Sequence, residues 1–117
     1  MQPHVRLAAA AIALSHATGK DVSSVYDYSQ GKYLSIDASV KEDRVAAYDY
    51  GQRCHIDGSL PSLYHYGAGR ALDLKTDKPA HYSGYDYDSS CHFEINIKGS
   101  NAEFYDYGEG KWFSFSV

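Results

Sequence analysis

Tyr26-Asp27-Tyr28 returns as Tyr48-Asp49-Tyr50, Tyr64-His65-Tyr66, Tyr85-Asp86-Tyr87 and Tyr105-Asp106-Tyr107, at intervals of 22, 16, 21 and 20 residues. A phrase that recurs at this period marks one supersecondary unit copied along the chain. We number the copies units 1 to 5. Eight, ten and twelve residues after the first Tyr of each phrase stand Leu34/Ile36/Ala38, Ile56/Gly58/Leu60, Leu72/Leu74/Thr76, Phe93/Ile95/Ile97 and Phe113/Phe115/Val117. All but Gly58 and Thr76 are apolar, and the residues between them are mostly polar. This period of two is the signature of a strand with one buried face.

Each unit therefore reads as a hairpin whose first strand carries the Tyr-x-Tyr phrase. Turns centred on Gln30-Gly31, Gln52-Arg53, Ala68-Gly69, Ser89-Ser90 and Glu109-Gly110 join it to the second strand. With two- or four-residue loops there, Tyr28 would face Tyr33 and Asp27 would face Leu34. The central residues Asp27, Asp49, His65, Asp86 and Asp106 fall on the core side, near the turns. So do Val25, Ala47, Leu63, Gly84 and Phe104, which precede each phrase. The tyrosines fall on the opposite face, with Tyr33, His55, Ala71, His92 and Trp112.

Ahead of the repeats, residues 3–18 read as a helix that starts at Pro3 and stops at Gly19. Its middle, Leu7 to Leu14, is apolar on every side, and such a helix must be surrounded. The same stretch could be read as a short secretory leader, with Arg6 ahead of the apolar run and Ser15-His16-Ala17 as a cleavage-like site. The weak charge before the run and its shortness favour the structural helix, and with it a cytoplasmic over a secreted location. The run is too short to span a membrane. The expected fold is mainly β, one domain over residues 1–117. Five hairpins, ten antiparallel strands, close into a shallow pseudo-symmetric barrel around the helix, which removes the sheet edges.

Composition narrows the function. A net charge of −4 with no polybasic run argues against a nucleic-acid partner. Two cysteines are too few for a disulfide scaffold. Phosphate-binding glycine loops, nucleophile elbows and His-Glu-x-x-His motifs do not occur in the sequence. The reading calls for no cofactor.

Tyr-x-Tyr followed by Gly31-Lys32, Gly69-Arg70 or Gly110-Lys111 resembles the YD repeats of Rhs-type toxin shells and teneurins. Asp between the tyrosines departs from that pattern, only Tyr85-Asp86-Tyr87-Asp88 has the Asp after the second Tyr, and five units cannot enclose a cargo. The layout of an apolar helix followed by hairpins over residues 20–117 resembles the β-flower barrels. These are shallow symmetric barrels compared by shape with Tubby C-terminal domains, whose barrel surrounds a helix and which bind phosphoinositides. That resemblance implies a fold and no settled activity, and this acidic chain offers no obvious basic pocket for a phosphoinositide.

The ring Asp27, Asp49, His65, Asp86 and Asp106 could hold a hard cation or act as a hydrolase's carboxylates. Its repetition in every unit favours a plainer role, in which each side chain accepts N–H bonds from its own turn. Tyr28, Tyr33, Tyr50, Tyr66, Tyr87, Tyr107 and Trp112 would pave an aromatic face able to stack on sugar rings or another protein, or simply to pair across strands. Cys54-His55 and Cys91-His92 suggest zinc at first sight, but neighbours on a strand point to opposite faces. His4, His16 and His81 lie outside the repeat with no visible role. The sequence thus favours a non-enzymatic binding module for a glycan, lipid headgroup or protein. A structural or assembly protein that forms homo-oligomers is the alternative, with a hydrolase third.

Overall fold

A computed structural model describes residues 1–117. Helix α1 spans Pro3–Thr18 and is followed by ten strands: β1 (Val22–Asp27), β2 (Lys32–Lys41), β3 (Arg44–Asp49), β4 (Cys54–Ser59), β5 (Ser62–His65), β6 (Arg70–Lys78), β7 (His81–Asp86), β8 (Cys91–Lys98), β9 (Asn101–Asp106) and β10 (Lys111–Ser116). Every strand pairs antiparallel with its sequence neighbour, and β1 pairs with β10, so the sheet is a closed barrel. No helix is long and apolar enough to cross a membrane.

The helix lies inside the barrel, as its all-round apolar surface demands. Val5 and Leu7 through Leu14 are buried. Pro3 occupies the first turn, and Gly19 closes the other end with φ 72° while its N–H donates to the Ser15 carbonyl. Small side chains on β1 to β3 (Val25, Ala38, Ala47) let the helix backbone approach that wall. Leu72, Leu74 and Tyr82 of β6 and β7 fill the opposite side. Phe93 stacks on Phe104 at 5.1 Å, and Phe104 meets Phe115 edge-on. Each large side chain buried in this way contributes about 1.5–3 kcal/mol.

The hairpin register is shifted by one residue on each strand from the one the alternation suggests. Asp27 pairs with Lys32, Tyr26 with Tyr33 and Val25 with Leu34, so the loop is Tyr28–Gly31. The pairs Asp49–Cys54, His65–Arg70, Asp86–Cys91 and Asp106–Lys111 repeat this geometry. Tyr28 therefore does not face Tyr33, nor Asp27 Leu34. The second Tyr of each phrase is the first loop residue, and the turn centres lie one residue earlier than expected. The cause is the cap. The carbonyl of Asp27 receives the N–H of Gln30 and Gly31 while its carboxylate receives those of Ser29 and Gln30. The last loop residue then needs positive φ, found at Gly31, Arg53, Gly69, Ser90 and Gly110.

The connections at the other end, Glu42-Asp43, Leu60-Pro61, Pro79-Ala80 and Gly99-Ser100, have two residues each. The uneven repeat interval comes from the second strands, which vary from six to ten residues, and from β5, which has four residues where the other first strands have six. The β1–β10 seam is the shortest pairing, with Tyr26–Ser116 and Asp27–Phe115 alone in register. A register shift between Val22 and Ser24 interrupts the pairing of β1 with β2.

Candidate functional site

Asp27, Asp49, His65, Asp86 and Asp106 do converge on the turn end, and all five are buried. Each serves its own loop. Asp49 Oδ1 accepts from the N–H groups of Gly51 and Gln52, Asp86 Oδ1 from Asp88, and Asp106 Oδ1 from Gly108 and Glu109. His65 does the same with Nδ1, which accepts the Ala68 N–H at 3.1 Å. The ring is a set of turn caps.

The N-terminus of α1 opens into this ring, so its positive end faces four carboxylates, a favourable arrangement. Asp106 is bound most heavily. Arg6, buried in the helix, donates to Asp106 Oδ2 at 3.2 Å and lies 3.7 Å from the centre of the Phe113 ring. The Met1 ammonium donates to the same oxygen at 3.1 Å. Burial pushes the Asp106 carboxyl up, but the ammonium and the loop N–H groups outweigh it and hold its pKa below the usual value. Burial likewise pulls the Met1 ammonium down, and Asp106 reverses this to a raised pKa. Sequence reading did not foresee the Arg6–Asp106 pair, although one Arg within an otherwise apolar helix was the signal for it.

Zinc at the Cys-His dipeptides is contradicted by the faces. Cys54 and Cys91 are buried and free while His55 and His92 are exposed. Cys54 packs under the next loop, where a Cβ added at Gly67 would lie 2.7 Å from its Sγ. Burial raises the Cys54 thiol pKa. Across the described residues, no three His, Cys, Asp or Glu side chains come together to hold a metal.

The aromatic face lies outside, around the turn end. Tyr28, Tyr33, Tyr50, Tyr64, Tyr66, Tyr87, Tyr107 and Trp112 are exposed. Within each phrase the two rings meet edge-on at 4.8–5.0 Å. Tyr33, His55, His92 and Trp112 join them from the second strand. The second Tyr also ties its hairpin to the one before it. Its N–H donates to Ser114, Ser35, His55, Ala71 or His92 carbonyls in turn. The Tyr50 hydroxyl donates to Asp37 at 2.6 Å, that of Tyr87 to Asp73 at 3.0 Å, and that of Tyr107 to Glu94.

Around this belt the surface is concave over β6 to β8. A cleft of about 700 Å³ is lined by Tyr85, His92, Tyr107, Asp73, Asp77, Lys75 and Glu94, among others. Two of its carboxylates are pre-set, Asp73 by Tyr87 and Glu94 by Tyr107. His81 bridges the wall, 2.6 Å from Asp77 and 3.3 Å from Glu94. Its hydrogen bond lowers the Asp77 carboxyl pKa.

The three histidines left without a role each have neighbours. His81 stands between two acids, His16 Nδ1 lies 2.6 Å from the buried Tyr82 hydroxyl, and His4 meets His65 edge-on at 5.2 Å. Asp77 is only four residues from His81, whereas the partners of His16 and His4 lie more than sixty residues along the chain, where no local spacing could reveal them. No family model, curated protein or solved structure matches this chain.

Proposed function

We propose that this chain is a non-enzymatic binding module whose β6–β8 cleft takes a neutral carbohydrate. The observation that carries the reading is the pairing of Tyr85, His92 and Tyr107 rings with the oriented carboxylates of Asp73 and Glu94 in one cleft. Aromatic rings offer flat apolar faces to the C–H face of a sugar, and fixed carboxylates accept from its hydroxyls. Three acids against Lys75 alone disfavour an anionic ligand, and with it a phosphoinositide headgroup. A role for the Asp ring as hydrolase carboxylates is disfavoured because both oxygens of Asp27, Asp86 and Asp106 are hydrogen-bonded within the chain.

Calorimetric titration with neutral oligosaccharides of glucose, mannose and N-acetylglucosamine tests this, with sulfated sugars as the anionic arm. Saturable binding of a neutral sugar, lost in Tyr85→Ala, supports it. Silence across the neutral panel overturns it. Silence together with a concentration-dependent mass would move the reading to self-assembly through the exposed tyrosines.

A further inference from the structure

The ring has a second set of polar atoms besides those that cap the turns. In units 1, 4 and 5 these are used within the chain: Asp27 Oδ2 accepts from Gln30 Nε2, Asp86 Oδ2 from Ser89 Oγ, and Asp106 Oδ2 from Arg6 and Met1. In units 2 and 3, which are neighbours, they are not. Asp49 Oδ2 and His65 Nε2 are buried without a hydrogen-bond partner. Asp49 is 3% exposed and His65 1%.

The chemistry of the two atoms is fixed. Because the Ala68 N–H occupies the Nδ1 lone pair, the neutral ring of His65 carries its proton on Nε2. Burial, then the nearby His4, lowers the His65 pKa and keeps the ring neutral. One orphan is thus an anionic acceptor and the other a neutral donor. A buried polar group left unpaired costs about 1–3 kcal/mol, and a charged one more. Asp49 also lines a cleft of about 430 Å³ at the start of α1, together with His4, Gln30, Lys32, Ser35 and Gln52. His65 is not on that lining and adjoins it through His4, whose ring meets its own edge-on at 5.2 Å.

We propose that Asp49 and His65 frame a second site, for a small ligand carrying a primary ammonium with an oxygen acceptor beside it, the chemistry of an amino alcohol. The ammonium meets Asp49 Oδ2 and the oxygen accepts from His65 Nε2–H. An anion is disfavoured, because it would meet the Asp49 carboxylate, and Lys32 is the one Lys or Arg on the cleft. A transition metal is disfavoured too, since the neutral His65 ring has no free lone pair. This site is separate from the sugar cleft and does not depend on it.

The test is a ¹⁵N NMR titration of the full chain with ethanolamine hydrochloride at fixed pH, with sodium chloride and calcium chloride as controls. The expected result is a saturable shift of the Gly51 and Gln52 amides and of His65 Nε2. Asp49→Asn keeps the turn's acceptor and removes the charge, so the response should vanish. Asp21→Asn, at the exposed far end, should leave it unchanged. Gln52→Lys sits at a loop position filled by Gln30, Ala68, Ser89 and Glu109 in the other units, so it should fold even if Asp49→Asn does not. Its tethered ammonium should weaken the response. A shift that fails to saturate, matches sodium chloride, appears with calcium alone, or survives in both Asp49→Asn and Gln52→Lys overturns the proposal. So does a high-resolution crystal grown with ethanolamine that shows only a water between Asp49 and His65.

Discussion

His65 Nδ1 receives the Ala68 N–H at 3.1 Å, so an imidazole in unit 3 does the work of a carboxylate in the other four units. His65→Asn keeps a neutral acceptor and should stay within about 1 kcal/mol of wild type, whereas His65→Leu strands the Ala68 N–H and should cost about 1–3 kcal/mol. The folded pKa lies below the ordinary 6.5. The unfolded chain therefore takes up a proton first, and stability present above that value declines as pH falls below it. Urea denaturation either side of that pH should show the decline in wild type and a smaller one in His65→Asn.

Arg6 and Asp106 form a buried pair beneath the Phe113 ring. Removing one partner leaves the other desolvated, so Arg6→Met should destabilise the fold by about 3 kcal/mol, less whatever the Met1 ammonium retains. Asp106 has its pKa lowered from 3.8, so its contribution is present above that value and is lost as pH falls through the folded pKa. Acid unfolding of Arg6→Met should accordingly begin at a higher pH than that of wild type.

Hydroxyl-to-acid latches join successive hairpins at Tyr50, Tyr87 and Tyr107, and each raises the phenol's pKa above 10.0. Burial does the same for Tyr82. Ultraviolet titration of phenolate should resolve four late tyrosines among the twelve. Replacing Tyr50, Tyr87 and Tyr107 with Phe should leave one. Any stability from the latches is present below the unfolded phenol pKa and is lost as pH rises through the folded values.

Gly84 is the one core-facing residue before a phrase that lacks a side chain. The Phe93 ring of the paired strand occupies its place, 2.5 Å from where a Cβ would stand, and the Asp73 carbonyl would lie at 2.0 Å. Gly84→Ala should therefore cost about 3 kcal/mol or more, since backbone must move. Gly69→Ala has nothing within 4 Å and only φ +67° to oppose it, so it should cost about 1–2 kcal/mol. Thermal unfolding of the two variants checks the order.

The Tyr-x-Tyr spacing and the alternation after it carried the strands, and the all-round apolar surface of residues 3–18 carried the buried helix and with it the closed barrel. They could not carry the register. A slip of one residue turns the core face outward, but a slip of two leaves every side chain on its own face. Pairing Asp27 with Lys32 rather than Leu34 was settled by the cap on Ser29 and Gln30, which alternation does not see. The turn-capping role of the Asp ring was legible because it recurs. The cleft over β6 to β8 was not, because it draws on features that do not recur: Lys75, Asp77 and the His81 bridge belong to units 3 and 4 alone.

The most direct measurement is the map of backbone amide shifts when the tightest-binding neutral oligosaccharide is added to the ¹⁵N-labelled chain. Shifts confined to the cleft are expected, at Ser83, Tyr85, His92, Glu94 and Tyr107. Shifts at the Gly51 and Gln52 loop instead, or broadening around the whole tyrosine belt as the chain self-associates, would contradict carbohydrate binding in the cleft.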